Sequence, residues 1–244
     1  LRVTEQIRDL ERRNQSLAAF VADSLFSSDG VFVHDPGILE PVLKVVREAG
    51  GLFVADEVQC GFARTGSHMW GYQRHNVVPD IISMGKPMGN GYPVAGIAVQ
   101  PNVVADFGHD MRYFNTFGGN TVAMAAANAT LEVIEGENLI ENSRRVGDIM
   151  MAGLHDLMQR DGRIGDIRGA GLYMGIEMVK NRETLEPDSA LALALVNEMR
   201  KRRVLISATA FNANVLKVRP PLTFSVENAD QFLTELDGAL RTVR

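Results

Sequence analysis

The feature that most constrains this chain is a series of short, largely apolar segments set apart by longer connections. AAFVAD (18–23), LFVAD (52–56), DIISMG (80–85) and AGIAVQ (95–100) all have this form. Strands without polar alternation are buried on both faces, and long connections suit parallel neighbours covered by helices. Helical spacing between them agrees: Val3, Ile7 and Leu10 recur near the helix period, and Val42 to Glu48 reads as a helix broken by Gly50 and Gly51. The chain is therefore expected to be α/β, a mostly parallel sheet with helices on both faces.

From Thr121 the pattern changes. TVAMAAANATLEVIEG and SRRVGDIMMAGLHDLMQR read as two long helices, and Gly162 ends the second. Beyond it, IRGAGLYMGIEMV (167–179) reads as one strand with glycine interruptions. SALALALVNEMRKRR is an amphipathic helix, VLISAT and NVLKVR are short strands, and a closing helix starts at Asn228. The expected division is a large domain over 1–135 and a small α+β domain over 136–244.

Charge and cysteine content exclude several classes of function. The 25 Lys and Arg face 30 Asp and Glu, a formal charge of -5 with no basic cluster, so nucleic acid is not an expected partner. One cysteine, Cys60, makes no internal disulfide, and His34, His68, His75, His109 and His155 lack zinc-type spacing, so no metal is expected. No apolar run approaches the roughly 20 residues that span a bilayer, and the charged N-terminus is unlike a signal peptide. A cytoplasmic location is expected. The chain also begins at Leu1, inside a helical pattern, which suggests a piece of a longer polypeptide.

Chemistry concentrates between Phe53 and Gly91. One buried strand ends in Asp56-Glu57-Val58-Gln59, and another ends in Gly85-Lys86-Pro87-Met88-Gly89-Asn90-Gly91. Both ends belong at the carboxyl edge of one sheet, where open α/β sheets bind ligands. Taken alone, Asp56 and Lys86 also suit a buried ion pair holding two loops. Glycines 85, 89 and 91 allow a ligand to approach the chain closely. A Walker phosphate loop is excluded, because Asp80 and Pro87 stand where it needs glycine and Ser or Thr. A desolvated lysine can form a Schiff base with a carbonyl, and a carboxylate can keep a pyridine nitrogen protonated, as pyridoxal phosphate (PLP) chemistry requires.

The stretch FVADEVQCGFARTGSHMWGYQRHNVVPDIISMGKPMGNGYPVAG resembles the signature region of the class III aminotransferases, PLP enzymes of fold type I. The likeness continues through YFNTFGGNTVAMAAANATLEVIE, GDIRGAGLYMGIEMV and NVLKVRPPLTFS, in the family's order and spacing. It implies that Lys86 is the Schiff-base lysine, Asp56 the pyridinium partner, Val58 the residue packed on the ring and Gln59 a partner of the phenolic oxygen. Thr116 matches a threonine that reaches the cofactor phosphate of a neighbouring subunit, so a homodimer with its site at the interface is implied. By composition alone, Thr116 fits either an anion-contacting loop or a helix cap with a turn.

Lys217 and Arg219 lie two apart, so on a strand they share one face and could clamp an acidic substrate; a solvated face is the other reading. The resemblance implies a substrate carboxylate site on this strand without choosing between them. Asp23 stands where the family carries a glutamate that contacts substrate or gates a charged group, and Ala63 where glycine is usual. Cys60, Trp70, Met150 and Met151 read as packing, and His68, His75 and His109 as surface or loop residues.

The likeness covers only the C-terminal half, or slightly more, of such an enzyme. The implied activity is PLP-dependent transamination of a small amine or amino acid. Within the class, YFNTFGGN, GDIRGAGLYMG and LKVRPPLTFS are most similar to the phospho-lyase branch, so phosphate elimination from a phosphorylated amino alcohol is an alternative. A non-catalytic remnant that retains the sheet and the dimer surface is another.

Overall fold

The computed structural model describes residues 2–33 and 36–243, which fall into two compact units. The first comprises the described residues of segments 1–24, 35–62 and 70–137. It contains α1 (Arg2–Arg12), β1 (Ala19–Ala22), α2 (Leu39–Glu48), β2 (Leu52–Asp56), β3 (Ile81–Met84), β4 (Gly96–Val99), α3 (Pro101–Asp110) and α4 (Thr121–Gly136). The sheet order is β1-β2-β3-β4. The first two pairings are parallel, but β4 runs antiparallel to β3. The sheet is thus mixed at one edge.

Helix α2 buries Leu39, Leu43 and Val46, which recur on one helical face, while β2 buries Phe53 and Ala55. Between them Gly51 allows close packing: a Cβ there would stand 2.7 Å from Leu17 Cδ2 and 3.1 Å from Val46 Cγ1. Asp80 ties the start of β3 to its neighbours, accepting from Phe53 N at 2.6 Å and from the Arg47 guanidinium. Cover is incomplete on this sheet, since Val21 of β1 and Ile97 of β4 are 63% and 68% exposed.

The second unit comprises the described residues of segments 25–34, 63–69 and 138–244. It holds α5 (Leu139–Arg160), β5 (Ile164–Ala170), β6 (Tyr173–Asn181), β7 (Glu186–Pro187), α6 (Ser189–Lys201), β8 (Ser207–Thr209), β9 (Val215–Val218) and α7 (Val226–Thr242). An antiparallel sheet, β5-β6-β9-β8, packs with α5, α6 and α7 around a core that includes Met150, Leu154, Met174, Ile176, Leu195, Leu216 and Phe232. The stretch 167–179, expected as one strand, is instead a hairpin of β5 and β6. Gly171, at φ +52°, turns the chain between them.

Arg168 is 4% exposed and holds residues 30–32 to this unit. It donates to the carbonyls of Gly30 (3.0 Å) and Val31 (3.1 Å) and to the carboxylates of Asp166 (2.8 Å) and Glu177 (2.5 Å), and it lies over the Phe32 ring. The final helix starts before Asn228 because Ser225 is its cap. The Ser225 hydroxyl accepts from Asn228 N, and the Asn228 side chain accepts in return from Ser225 N. Among the described residues no helix is long and apolar enough to cross a membrane, and no group of His, Cys, Asp and Glu could hold a metal ion. His34 lies outside the described residues.

Candidate active site

Asp56 is the last residue of β2 and stands opposite Ser83 of β3. Its Oδ1 accepts from Ser83 Oγ (3.2 Å) and from Val58 N (3.1 Å). Glu57 turns the other way and is fully buried. Its carboxylate accepts from Gly71 N (2.7 Å) and Tyr72 N (2.8 Å), and from the Cys60 thiol at 3.3 Å. Burial raises the Glu57 pKa against those donors, and the charge of Asp23 pushes the same way. Gly71 is required here: a Cβ would stand 2.5 Å from Ser24 Oγ and 2.7 Å from Cys60 Cβ.

Burial, followed by the charges of Glu57 and Asp23, also lifts the Cys60 pKa well above the ordinary thiol value. Cys60 therefore remains a packed thiol, not a nucleophile. Asp23 follows β1 and sits close enough to Glu57 and Cys60 for its charge to act on both.

Strand β3 leads through Gly85 to Lys86, which is exposed and adopts φ +34° at the start of a 3-10 turn, Lys86–Gly89. A Cβ on Gly85 would meet Val58 Cγ2 at 3.7 Å. Asp56, Val58, Ser83 and Gly85 are thus brought together, with Lys86 the next residue and Gln59 half-buried in the same turn as Val58. Thr116 lies in the exposed stretch 111–120. It is not a helix cap. Asn120 caps α4 by accepting from Ala123 N, and Asn115 holds the turn by accepting from Phe117 N and Gly118 N.

Lys217, on β9, is half-buried, and Arg219, just beyond it, is exposed. Both belong to the second unit, as does Arg64, whose guanidinium donates to the carbonyls of Leu172 (3.1 Å) and Pro220. Burial, aided by the charge of Arg219, lowers the Arg64 pKa to about 10. Ser83, Glu57 and Arg64 were not apparent as site candidates. The one signal for Ser83 was a hydroxyl inside an otherwise apolar run.

His75 corrects an expectation: it is 2% exposed, not on the surface. Its Nδ1 accepts from Gly37 N (3.1 Å), which leaves Nε2 to donate to Ser24 O (3.0 Å). His68 and His109 are exposed as expected. Burial lowers the His75 pKa from 6.5, with Arg74 adding to the effect and the Ser24 carbonyl opposing it. The unfolded chain therefore takes up this proton first. Stability is expected to fall as pH drops below about 6.5, by at most about 1.4 kcal/mol per pH unit for one proton, until the folded pKa is passed. Urea midpoints between pH 5 and 8 should show that slope in the parent protein and a flatter one in His75→Gln.

The profile of the class III aminotransferases matches residues 1–240, and the chain belongs to that family. Over 233 residues it is 45% identical to a Drosophila melanogaster protein named alanine–glyoxylate aminotransferase 2-like, covering 95% of this chain and 47% of that one. It is 41% identical over 237 residues to ethanolamine-phosphate phospho-lyase homolog 1 of Caenorhabditis elegans, covering 96% of this chain and 51% of that one. A solved Arthrobacter phospholyase in complex with phosphoethanolamine matches with a TM-score of 0.96 and 40% identity, over 99% of this chain and 57% of that one. A Bacillus anthracis aminotransferase matches at 0.91 and 33% identity, over 99% and 56%. The chain thus spans about half the length of the relatives it matches.

Proposed function

We propose that this chain acts in PLP-dependent transamination, moving an amino group from an amine or amino acid to a keto or aldehyde acceptor. The observation that carries this is the pairing of β2 with β3, which sets a carboxylate held by two donors beside the strand that delivers Lys86. The donor set suits the cofactor: a carboxylate for the ring nitrogen, an apolar side chain at Val58 for the ring face, and a primary amine.

When bound, PLP supplies the electron sink for the pair left behind as the substrate's α-proton departs. In this reading Asp56 keeps the ring nitrogen protonated, Val58 packs on the ring and Gln59 bonds the phenolic oxygen. Lys86 anchors the cofactor. With its amine free, Lys86 Nζ would take the substrate's α-proton and later return it as a general acid. Thr116 serves the phosphate of the second subunit in a homodimer, and Lys217, Arg219 and Asp23 bind the substrate. A cytoplasmic location belongs to the same proposal.

A second reading, phosphate elimination from a phosphorylated amino alcohol, is favoured by the likeness to two proteins named as phospho-lyases. It uses the same removal of the α-proton by Lys86 and then expels phosphate. The test begins with reduction of the PLP-treated protein by borohydride and peptide mapping. The label is expected on Lys86 and is absent from Lys86→Ala; labelling elsewhere, or none, overturns both readings. Amino-group transfer from L-alanine that requires glyoxylate supports transamination, whereas phosphate release from phosphoethanolamine without an acceptor supports elimination.

A further inference from the structure

We infer that Ser83 is a positioning residue for Asp56, fixing which carboxylate oxygen meets the cofactor's ring nitrogen. The inference rests on the cofactor reading above. Ser83 grips the end of β2 twice. Its carbonyl accepts from Glu57 N at 3.0 Å, and its hydroxyl donates to Asp56 Oδ1 at 3.2 Å. The amide of Val58 donates to the same oxygen at 3.1 Å. Two donors on Oδ1, one from β3 and one from the turn after β2, hold the carboxylate in one rotamer and leave Oδ2 as the oxygen for a ligand. Hydrogen bonds to a charged acceptor are stronger than neutral ones, so this restraint is substantial.

The placement of Ser83 gives it a second property. Alternation along β3 puts Ser83 and Gly85 on one face, and the open position of Gly85 lies against Val58. Ser83 is also three residues before Lys86, so a single side chain couples the lysine's strand to the carboxylate. A carboxylate that faces the ring nitrogen favours its protonated form. Loss of the serine hydroxyl should therefore alter the ring's protonation more than the fold.

The experiment compares the parent protein, Ser83→Ala and Ser83→Thr, each treated with PLP labelled with 15N in the ring. In Ser83→Ala, PLP affinity is expected to fall about tenfold, the usual scale for one hydrogen bond to a charged group. The ring 15N resonance should move toward the unprotonated position, while the thermal midpoint of the cofactor-free protein falls by only a few degrees. Ser83→Thr, which keeps the hydroxyl, should restore both affinity and resonance. An unmoved resonance in Ser83→Ala, with the parent protein still reduced onto Lys86, overturns the role of Ser83 alone. Absence of reduction onto Lys86 in the parent protein overturns the cofactor reading and this inference with it. If Ser83→Ala does not fold, Ser83→Cys, similar in shape with a weaker donor, carries the same comparison.

Discussion

Alanine at Gly147 is expected to destabilise the protein by about 3 kcal/mol, at the upper end of the cost of overpacking. Gly147 lies within α5, where helix propensity alone favours alanine by about 1 kcal/mol, so the sign of the effect is diagnostic. A Cβ there would stand 2.4 Å from the Gly171 carbonyl oxygen and 2.6 Å from its carbon. Backbone cannot swing aside as a side chain can. Gly171 is itself pinned, because a Cβ on it would stand 2.5 Å from Thr65 C and 2.7 Å from Gly66 N. Gly66 in turn approaches Arg144 N so closely that a Cβ would stand 2.6 Å away. Three glycines thus let a helix, a hairpin turn and the 63–69 segment pass at backbone distance. Urea titration should show a lower midpoint for Gly147→Ala, while Gly162→Ala, with open space around it, should change stability by less than about 0.5 kcal/mol. A raised midpoint for Gly147→Ala would refute the account.

The second large effect belongs to Arg168. Replacing it by methionine keeps the length and removes the charge, leaving Glu177 and Asp166 without their cation and the carbonyls of Gly30 and Val31 without a donor. Breaking a buried pair from one side typically costs about 3–5 kcal/mol. Because Glu177 and Asp166 are 26% and 41% exposed, water offsets part of that, and a loss of about 3 kcal/mol is expected. Most of the cost arises from the charge that the carboxylates lose as a partner. Arg168→Met combined with Glu177→Met should therefore be more stable than Arg168→Met alone, by calorimetry or urea titration. If the double variant is less stable, packing and not charge explains the residue.

Much of the first unit could be read from its sequence. LFVAD was expected over 52–56 and β2 is Leu52–Asp56, because Gly51 and a carboxylate bound the apolar run. Asp56 and Lys86 were legible as candidates since both terminate such runs. The direction of β4 was not read, although a signal existed. A parallel return takes a connection of about a dozen residues or more, usually helical, and the glycine- and proline-rich stretch from Gly85 to Ala95 is poorly suited to one. The β5–β6 hairpin was hidden because Leu172, within its turn, is apolar and fully buried. His75 and Ser83 owe their partners to strand register and to contacts distant in sequence, which periodicity does not encode. Ser83 looked like an ordinary strand residue until Asp56 was found opposite it.

The reversal at β4 has a consequence for the lysine. Met84 pairs with Gly96, and a Cβ on Gly85 would lie 3.8 Å from Ala95 Cβ, so the segment carrying Lys86 leaves and re-enters the sheet at one place. It is a ring clasped at its stem. Inserting one residue within the paired stem, at Met84 or Gly96, would make it slip or bulge, and a slip would send Ile97 and Val99 to the opposite face. Change at this spot is therefore open to exchange of side chains and closed to change of length.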